Sequence, residues 1–360
     1  MSTIIVNSVD LLKSINVVAP VVKDRTTLPI LSNLLISVLD NELKITSYNQ
    51  ETRASITMKI ESDEKFAFCV QKSLLCNILA SLPSIELSLE LNKVMLDISS
   101  DLGSYSLPTE DFRLFPESPN LGDLSFFKVD SELFLDGLRK SIPFVDTLTE
   151  NLNRVLIKSK DNQLNIAGIS NICFYEKKFD YNGDDVDILL TTESAKFISQ
   201  TINPDADLSI RYNSGYFCAY FDNVSIETLQ LAVKPPDYGK VLDSLKKDNC
   251  LKINRELFLA CVKRFSAIAD KDSKFLIMEV SKDKLNLSYE NDFLKHTAKE
   301  SITDFVYEGI DIRMGLNINK FKTVLSTLEQ DVSMYFSASN FPTLLVEDNT
   351  RILFSPMKAT

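Results

Sequence analysis

NSVDLLKSI (7–15), DSELFLDGL (130–138) and NRELFLACV (254–262) carry one pattern three times. A short polar residue (Asn7, Asp130, Asn254) is followed four and five positions later by large apolar pairs: Leu11 with Leu12, Phe134 with Leu135, Phe258 with Leu259. Three positions further on stand Ile15, Leu138 and Val262. That spacing puts the apolar residues on one stripe of a helix, and the polar residue is suited to cap its first turn. The copies lie 123 and 124 residues apart, so 360 residues divide into three similar modules, 1–123, 124–247 and 248–360.

The repeat continues in order beyond the first helix. LLISV (34–38), VLIKS (155–159) and FLIMEV (275–280) read as equivalent strands, followed by LKIT (43–46), LNIA (164–167) and LNLS (285–288) at intervals of 121 residues. A second helix recurs from Val70, Thr191 and Leu316. Alternation in ELSLELNKVMLDIS and FAFCV indicates half-buried antiparallel strands. Two helices on antiparallel sheet in each module predict an α+β fold. Turn residues cluster at PESPNLGD (116–123) and PPDYGKVLDSLKKDN (235–249), where the module boundaries are expected.

Composition excludes more than it identifies. The chain is 44% apolar and 25% charged, as ordinary globular proteins are. It has no apolar run long enough for a membrane span and no secretory signal pattern at MSTIIVNSVDLLKS, so a cytoplasmic, membrane-free protein is expected. The six cysteines contain no CxxC pair, which argues against a zinc site or a disulfide scaffold and for buried apolar use. His296 is the only histidine, and no GxGxxG, GxxxxGK[ST] or HExxH occurs. The expectation is a protein without catalytic residues, metal or cofactor.

A net charge of −11 disfavours nucleic acid unless charge is segregated by face. The helices suggest such segregation. Arg139 and Lys140 stand five and six residues after Phe134, and Lys263 and Arg264 hold the same places after Phe258. Lys13 projects about 170° from its helix's apolar stripe at 100° per residue. The second helices add Lys72, Lys196, Lys320 and Lys322. Three modules with helices on one side form an arc, and two arcs joined head to tail close into a six-module ring with no open sheet edge. A basic lining would hold phosphates without reading bases.

RTTLPILSNLLISV (25–38) resembles the RPTLPILxNLLLxV stretch of bacterial DNA polymerase III beta subunits, the replication sliding clamps; PPDY (235–238) is similar to that family's FPDY, and SPMKAT to its MPMRL tail. The resemblance implies a non-catalytic homodimeric ring that encircles double-stranded DNA. It also implies that this ring tethers the polymerase alpha subunit and other proteins carrying a clamp-binding motif, and that a clamp loader opens it. Arg25 matches the arginine that touches DNA in the family. A partner-peptide pocket between the second and third modules would use Leu152, Ile169, Asn171, Ile172, Cys173 and Phe174, then Pro236, Lys240 and Val241. Leu353, Pro356, Met357 and Lys358 complete it.

The chain also departs from the family. ISNICF (169–174) replaces a TDGHRL turn, Ser355 and Lys358 replace a methionine and an arginine, and Glu150 and Asn151 stand where the family has aromatic DNA contacts. Two other readings remain at this point: a hydrolase using Asp184 and Asp185, and a clamp-shaped scaffold that binds proteins but not DNA.

Overall fold

In the computed structural model, which describes residues 2–23, 26–146, 149, 153–230, 238, 242, 245–270 and 275–357, each leading helix starts one residue after its short polar side chain. The α-helices among the described residues are α1 (Ser8–Val18), α2 (Lys72–Ser81), α3 (Ser131–Ser141), α4 (Thr192–Thr201), α5 (Arg255–Ile268) and α6 (Ile318–Thr327). Asn7 Oδ1 accepts from the Val9 and Asp10 amides at 2.9 and 3.4 Å. Asp130 accepts from Leu133 and Asn254 from Leu257, each at 3.0 Å. Those amides lack partners inside the helix, so the caps decide where it begins. The second helices start a residue or two later than the sequence segments do. Val70, Thr191 and Leu316 are instead the ends of strands, paired with Leu34, Arg154 and Leu276.

After each leading helix the chain runs as an antiparallel meander. In the first third it comprises Asn33–Leu39, Glu42–Tyr48 and Thr52–Lys59, and in the second Arg154–Lys160, Gln163–Ile169 and Cys173–Asp180. In the last it comprises Phe275–Val280, Leu285–Asn291 and His296–Ile302. Asp40, Asn41, Asp161 and Asn162 hold positive φ at the two-residue hairpin turns, which Asx side chains tolerate best after glycine.

The close approach of a leading helix's end to the middle strand is solved differently in each third. Ser47 Oγ donates to the Val18 carbonyl at 2.7 Å, and Tyr289 Oη accepts from the Asp270 amide at 3.2 Å. Gly168 leaves room for the Ser141 carbonyl, which would lie 2.1 Å from a Cβ there.

Two compact units partition the chain: Met1–Leu135 with Glu193–Ala232, and Asp136–Thr192 with Val233–Thr360. These cuts do not follow the sequence repeat, because sheets run unbroken from one third into the next. In the first unit a twelve-stranded sheet joins Thr52–Lys59 of the first third to Val224–Leu229 of the second. In the second unit a nine-stranded sheet joins Cys173–Asp180 to Thr350–Phe354, and a four-stranded sheet holds Phe275–Val280 at its centre. The second unit's core follows the same path, since Phe144, Cys173 and Tyr175 pack with Phe258, Phe321 and Phe354.

The cysteines are free. Burial pushes the thiols of Cys69, Cys173 and Cys261 up to about 12, as expected of side chains used for packing. His296 is an exposed strand residue, and Asp184 and Asp185 sit exposed before strand Asp187–Thr191. Among the described residues, no helix is long and apolar enough to cross a membrane.

Gly168→Ala drives a methyl into the Ser141 backbone and should cost about 2–3 kcal/mol in chemical denaturation. Gly215→Ala is the control, because its nearest neighbour, Asn213 Oδ1, is 3.7 Å away, and it should change stability by less than about 1 kcal/mol.

Candidate nucleic-acid interface and partner pocket

In the first unit the basic helix residues lie at or near the surface. Lys13 is exposed and 3.7 Å from Asp10, Lys196 is exposed on α4, and Lys72 is half-buried with Nζ 3.4 Å from the Val22 carbonyl. An exposed pair of the Lys13 kind is worth little in water, so the lysine remains available to another anion.

In the second unit the matched pairs divide. Their leading members, Arg139 and Lys263, are exposed. The other two are engaged by carboxylates of the same chain. Arg264 donates from Nε and Nη2 to Glu300 at 2.9 and 2.6 Å, a fork that holds the Glu300 carboxyl below its ordinary range. Lys140 has a side chain only 18% exposed and donates to Glu329, with Asp136 at 3.2 Å. Burial works against its charge, but the bonds to Glu329 and Asp136 outweigh burial and leave its pKa raised. Helical spacing sets these side chains on the polar face and brings Asp136 beside Lys140, but it does not show Glu300 and Glu329, which are 36 and 189 residues away in sequence.

Lys322 donates to Ser266 Oγ at 2.9 Å and lines a cleft of about 700 Å³ with Arg139, Lys140, Asp136 and Glu329. Arg255, which sequence reading passed over, also lines it, its Nε anchored on the Leu325 carbonyl at 3.1 Å. Lys320 lies elsewhere, close enough to Cys173 for its charge to oppose the rise in that thiol's pKa.

The candidate pocket residues that are described converge. Cys173 and Phe174 pair across strands with Phe354 and Leu353. The turn before them is tight: Ser170 Oγ accepts from the Cys173 amide at 3.0 Å, and Asn171 Nδ2 donates to Asp146 at 3.0 Å. Ile172 and half-buried Ile169 flank that turn, and the Ile172 carbonyl accepts from the Ser355 amide at 2.8 Å.

Beyond half-buried Pro356 the chain is stapled to strand Ile312–Asn317. Met357 N donates to Gly315 O at 2.8 Å, and Gly315 N donates to Met357 O at 3.2 Å. Both backbone groups of Met357 are therefore held by Gly315. Gly315 permits the staple because a Cβ there would lie 2.9 Å from the Met357 carbonyl and 2.3 Å from the Phe275 ring. Ile172 and Met357 remain 38% and 42% exposed, an apolar surface held on a hydrogen-bonded frame. Tyr238, from the PPDY segment, lays its ring 4.2 Å from that of Phe174 and joins the pocket, although the family pattern had not placed it there. Arg25, Leu152, Pro236, Lys240, Val241 and Lys358, like Glu150 and Asn151, lie outside the described residues.

The family model for the DNA polymerase III beta subunit N-terminal domain matches residues 2–119, and that for its C-terminal domain matches residues 245–353. Proteins called beta sliding clamp in Rickettsia felis and Haemophilus influenzae are 23% and 22% identical, over 99% and 94% of both chains. The solved DNA polymerase III beta subunit of Thermotoga maritima superimposes with a TM-score of 0.90 at 20% identity, covering all of both chains. The Pseudomonas aeruginosa sliding clamp bound to griselimycin gives 0.92 at 19% identity, over 99% of this chain and all of that one. The chain belongs to the DNA polymerase III beta subunit family.

Proposed function

We propose that this chain is a non-catalytic DNA sliding clamp: two copies close head to tail around double-stranded DNA and tether the replicative polymerase and other motif-bearing proteins. The observation that carries this reading is a seam that occurs twice inside the chain and has a third, unfilled counterpart. Strand Thr52–Lys59 pairs with Val224–Leu229, and Cys173–Asp180 pairs with Thr350–Phe354. The equivalent strand of the last third, His296–Ile302, ends its sheet with an exposed edge. The equivalent of the receiving strand in the first third, Gly103–Glu110, pairs on its far side only at Thr109 and Glu110. A second copy satisfies both edges, so the three repeats, taken as 1–123, 124–247 and 248–360, become six in a closed ring.

The internal seams supply the register. Thr46, Ala167 and Ser288 occupy equivalent places and pair with Ser55, Glu176 and Lys299. The receiving strands each begin after a two-residue turn, at Gly103, Val224 and Thr350. Ser55 pairs with Ser225 and Glu176 with Arg351, each one residue past that start. Lys299 therefore faces Ser104 of the second copy.

Lys13, Arg25, Lys72, Lys196, Lys263 and the cleft around Arg139 and Lys322 would line the opening and meet backbone phosphates, which accounts for sequence-independent binding by an acidic protein. The surface of Ile172, Tyr238, Leu353 and Met357, beside the buried ring of Phe174, suits leucine or phenylalanine anchors of an extended peptide, such as the polymerase alpha subunit or a clamp loader would present. Such work belongs in the cytoplasm and needs no cofactor.

Ser104→Cys combined with Lys299→Cys should give a covalent dimer on oxidation, whereas Ser106→Cys with Lys299→Cys should not; the reverse result would show a different closure. Rings cross-linked after loading on a circular plasmid should resist high salt until the plasmid is linearised, and salt release from the intact circle would rule out encirclement. Met357→Ala and Tyr238→Ala should each weaken a polymerase-tail peptide about tenfold in fluorescence polarisation. Gly315→Ala should do the same by displacing the terminal staple, and unchanged affinity in all three would move the pocket elsewhere.

A further inference from the structure

The cleft between α3 and α6 holds four cations, Arg139, Lys140, Arg255 and Lys322, against two carboxylates, Asp136 and Glu329. Its charge is not evenly available. Asp136 is shared between Lys177 and Lys140, and Glu329 completes the neutralisation of Lys140. Glu329 is also held in place from behind: its amide and that of Gln330 both donate to Glu347 Oε1, the first at 2.6 Å. A rigid turn thus aims a carboxylate at a lysine 189 residues away in sequence. A phosphodiester is also an oxyanion that accepts from an ammonium group, and the cleft, at about 700 Å³, has room for a phosphate and its sugar.

We propose that this cleft is a backbone-phosphate site in which Glu329 stands in for the phosphate on Lys140, so that DNA must displace Glu329 to engage that lysine. The inference rests on the clamp reading above and adds its regulation. A built-in competitor keeps one phosphate contact weak on each copy, which favours movement along the duplex over lodging at one place. Lys140 releases no counter-ion while Glu329 holds it, so it contributes nothing to the salt dependence of binding until the carboxylate is removed.

The test is duplex binding by the full-length dimer, followed by fluorescence anisotropy of a labelled 30-base-pair duplex across a salt series. Glu329→Gln should tighten binding severalfold and steepen the log K against log salt slope by about one, the share of a single phosphate contact. Glu329→Asp, too short to reach Lys140, should behave alike and guards against an effect peculiar to the amide. In the Lys140→Gln/Glu329→Gln double variant most of the gain should vanish, which a general loss of negative charge would not produce. Lys263→Glu, outside the cleft, tests the underlying reading. If it leaves affinity unchanged, the DNA-binding face is misplaced and this inference falls with it. If it weakens binding while Glu329→Gln and Glu329→Asp leave affinity and slope as in the parent, the clamp reading stands and the stand-in role of Glu329 is overturned.

Discussion

Backbone pairing between strands that belong to different repeats is the constraint on which the rest of the structure depends. A meander of three strands with a helix pair cannot satisfy its own outer edge, and an unpaired edge leaves a row of amides and carbonyls open to any passing strand. Here the edge Thr52–Lys59 is taken by Val224–Leu229, and the edge Cys173–Asp180 by Thr350–Phe354. The core follows the sheet across, so Cys173 and Tyr175 share one buried apolar cluster with residues of the last third. Cohesion by contact therefore cuts the chain into two units where the sequence shows three repeats.

The two seams are built alike in backbone and differently in chemistry, and only the second borders exposed apolar side chains at Ile172 and Met357. In the first unit Thr52, Ser194 and Thr228 form a buried triangle of hydroxyl contacts of 2.8 to 3.0 Å, with Ser194 also donating to Glu51 at 2.7 Å. Polar groups satisfied among themselves offer little to an apolar ligand. In the second unit the corresponding positions hold Cys173 and Phe354, with Lys320 nearby, and the adjoining turn presents Ile172. Apolar surface left exposed on a hydrogen-bonded frame is what an extended peptide can use without paying to order it.

Charge on the helices follows a related division. Position on the helix determines which side chains leave the apolar stripe, but the neighbouring strands and loops decide which of those cations still carry free charge. Arg264 meets Glu300 on strand His296–Ile302, and Lys140 meets Glu329 just past the end of α6. An acidic protein holds phosphates only where such internal pairing is absent or can be exchanged.

The amino-acid sequence by itself determined the repeat, the starts of the leading helices and the order of the strands that follow them. Caps such as Asn7 and Asn254, the apolar stripes and the two-residue turns act within a few residues, and local spacing records them. Family resemblance pointed to Ile172, Cys173, Phe174, Leu353 and Met357, which lie together in the structure, but not to Tyr238, whose place depends on a ring contact with Phe174. Only the tertiary structure decided that Gly168 makes way for Ser141, that Met357 is pinned by Gly315, and that Lys140 meets Glu329 and Arg264 meets Glu300. Each of these is a meeting of segments distant along the chain, set by how sheets join and helices pack, and no local pattern of residue types encodes it.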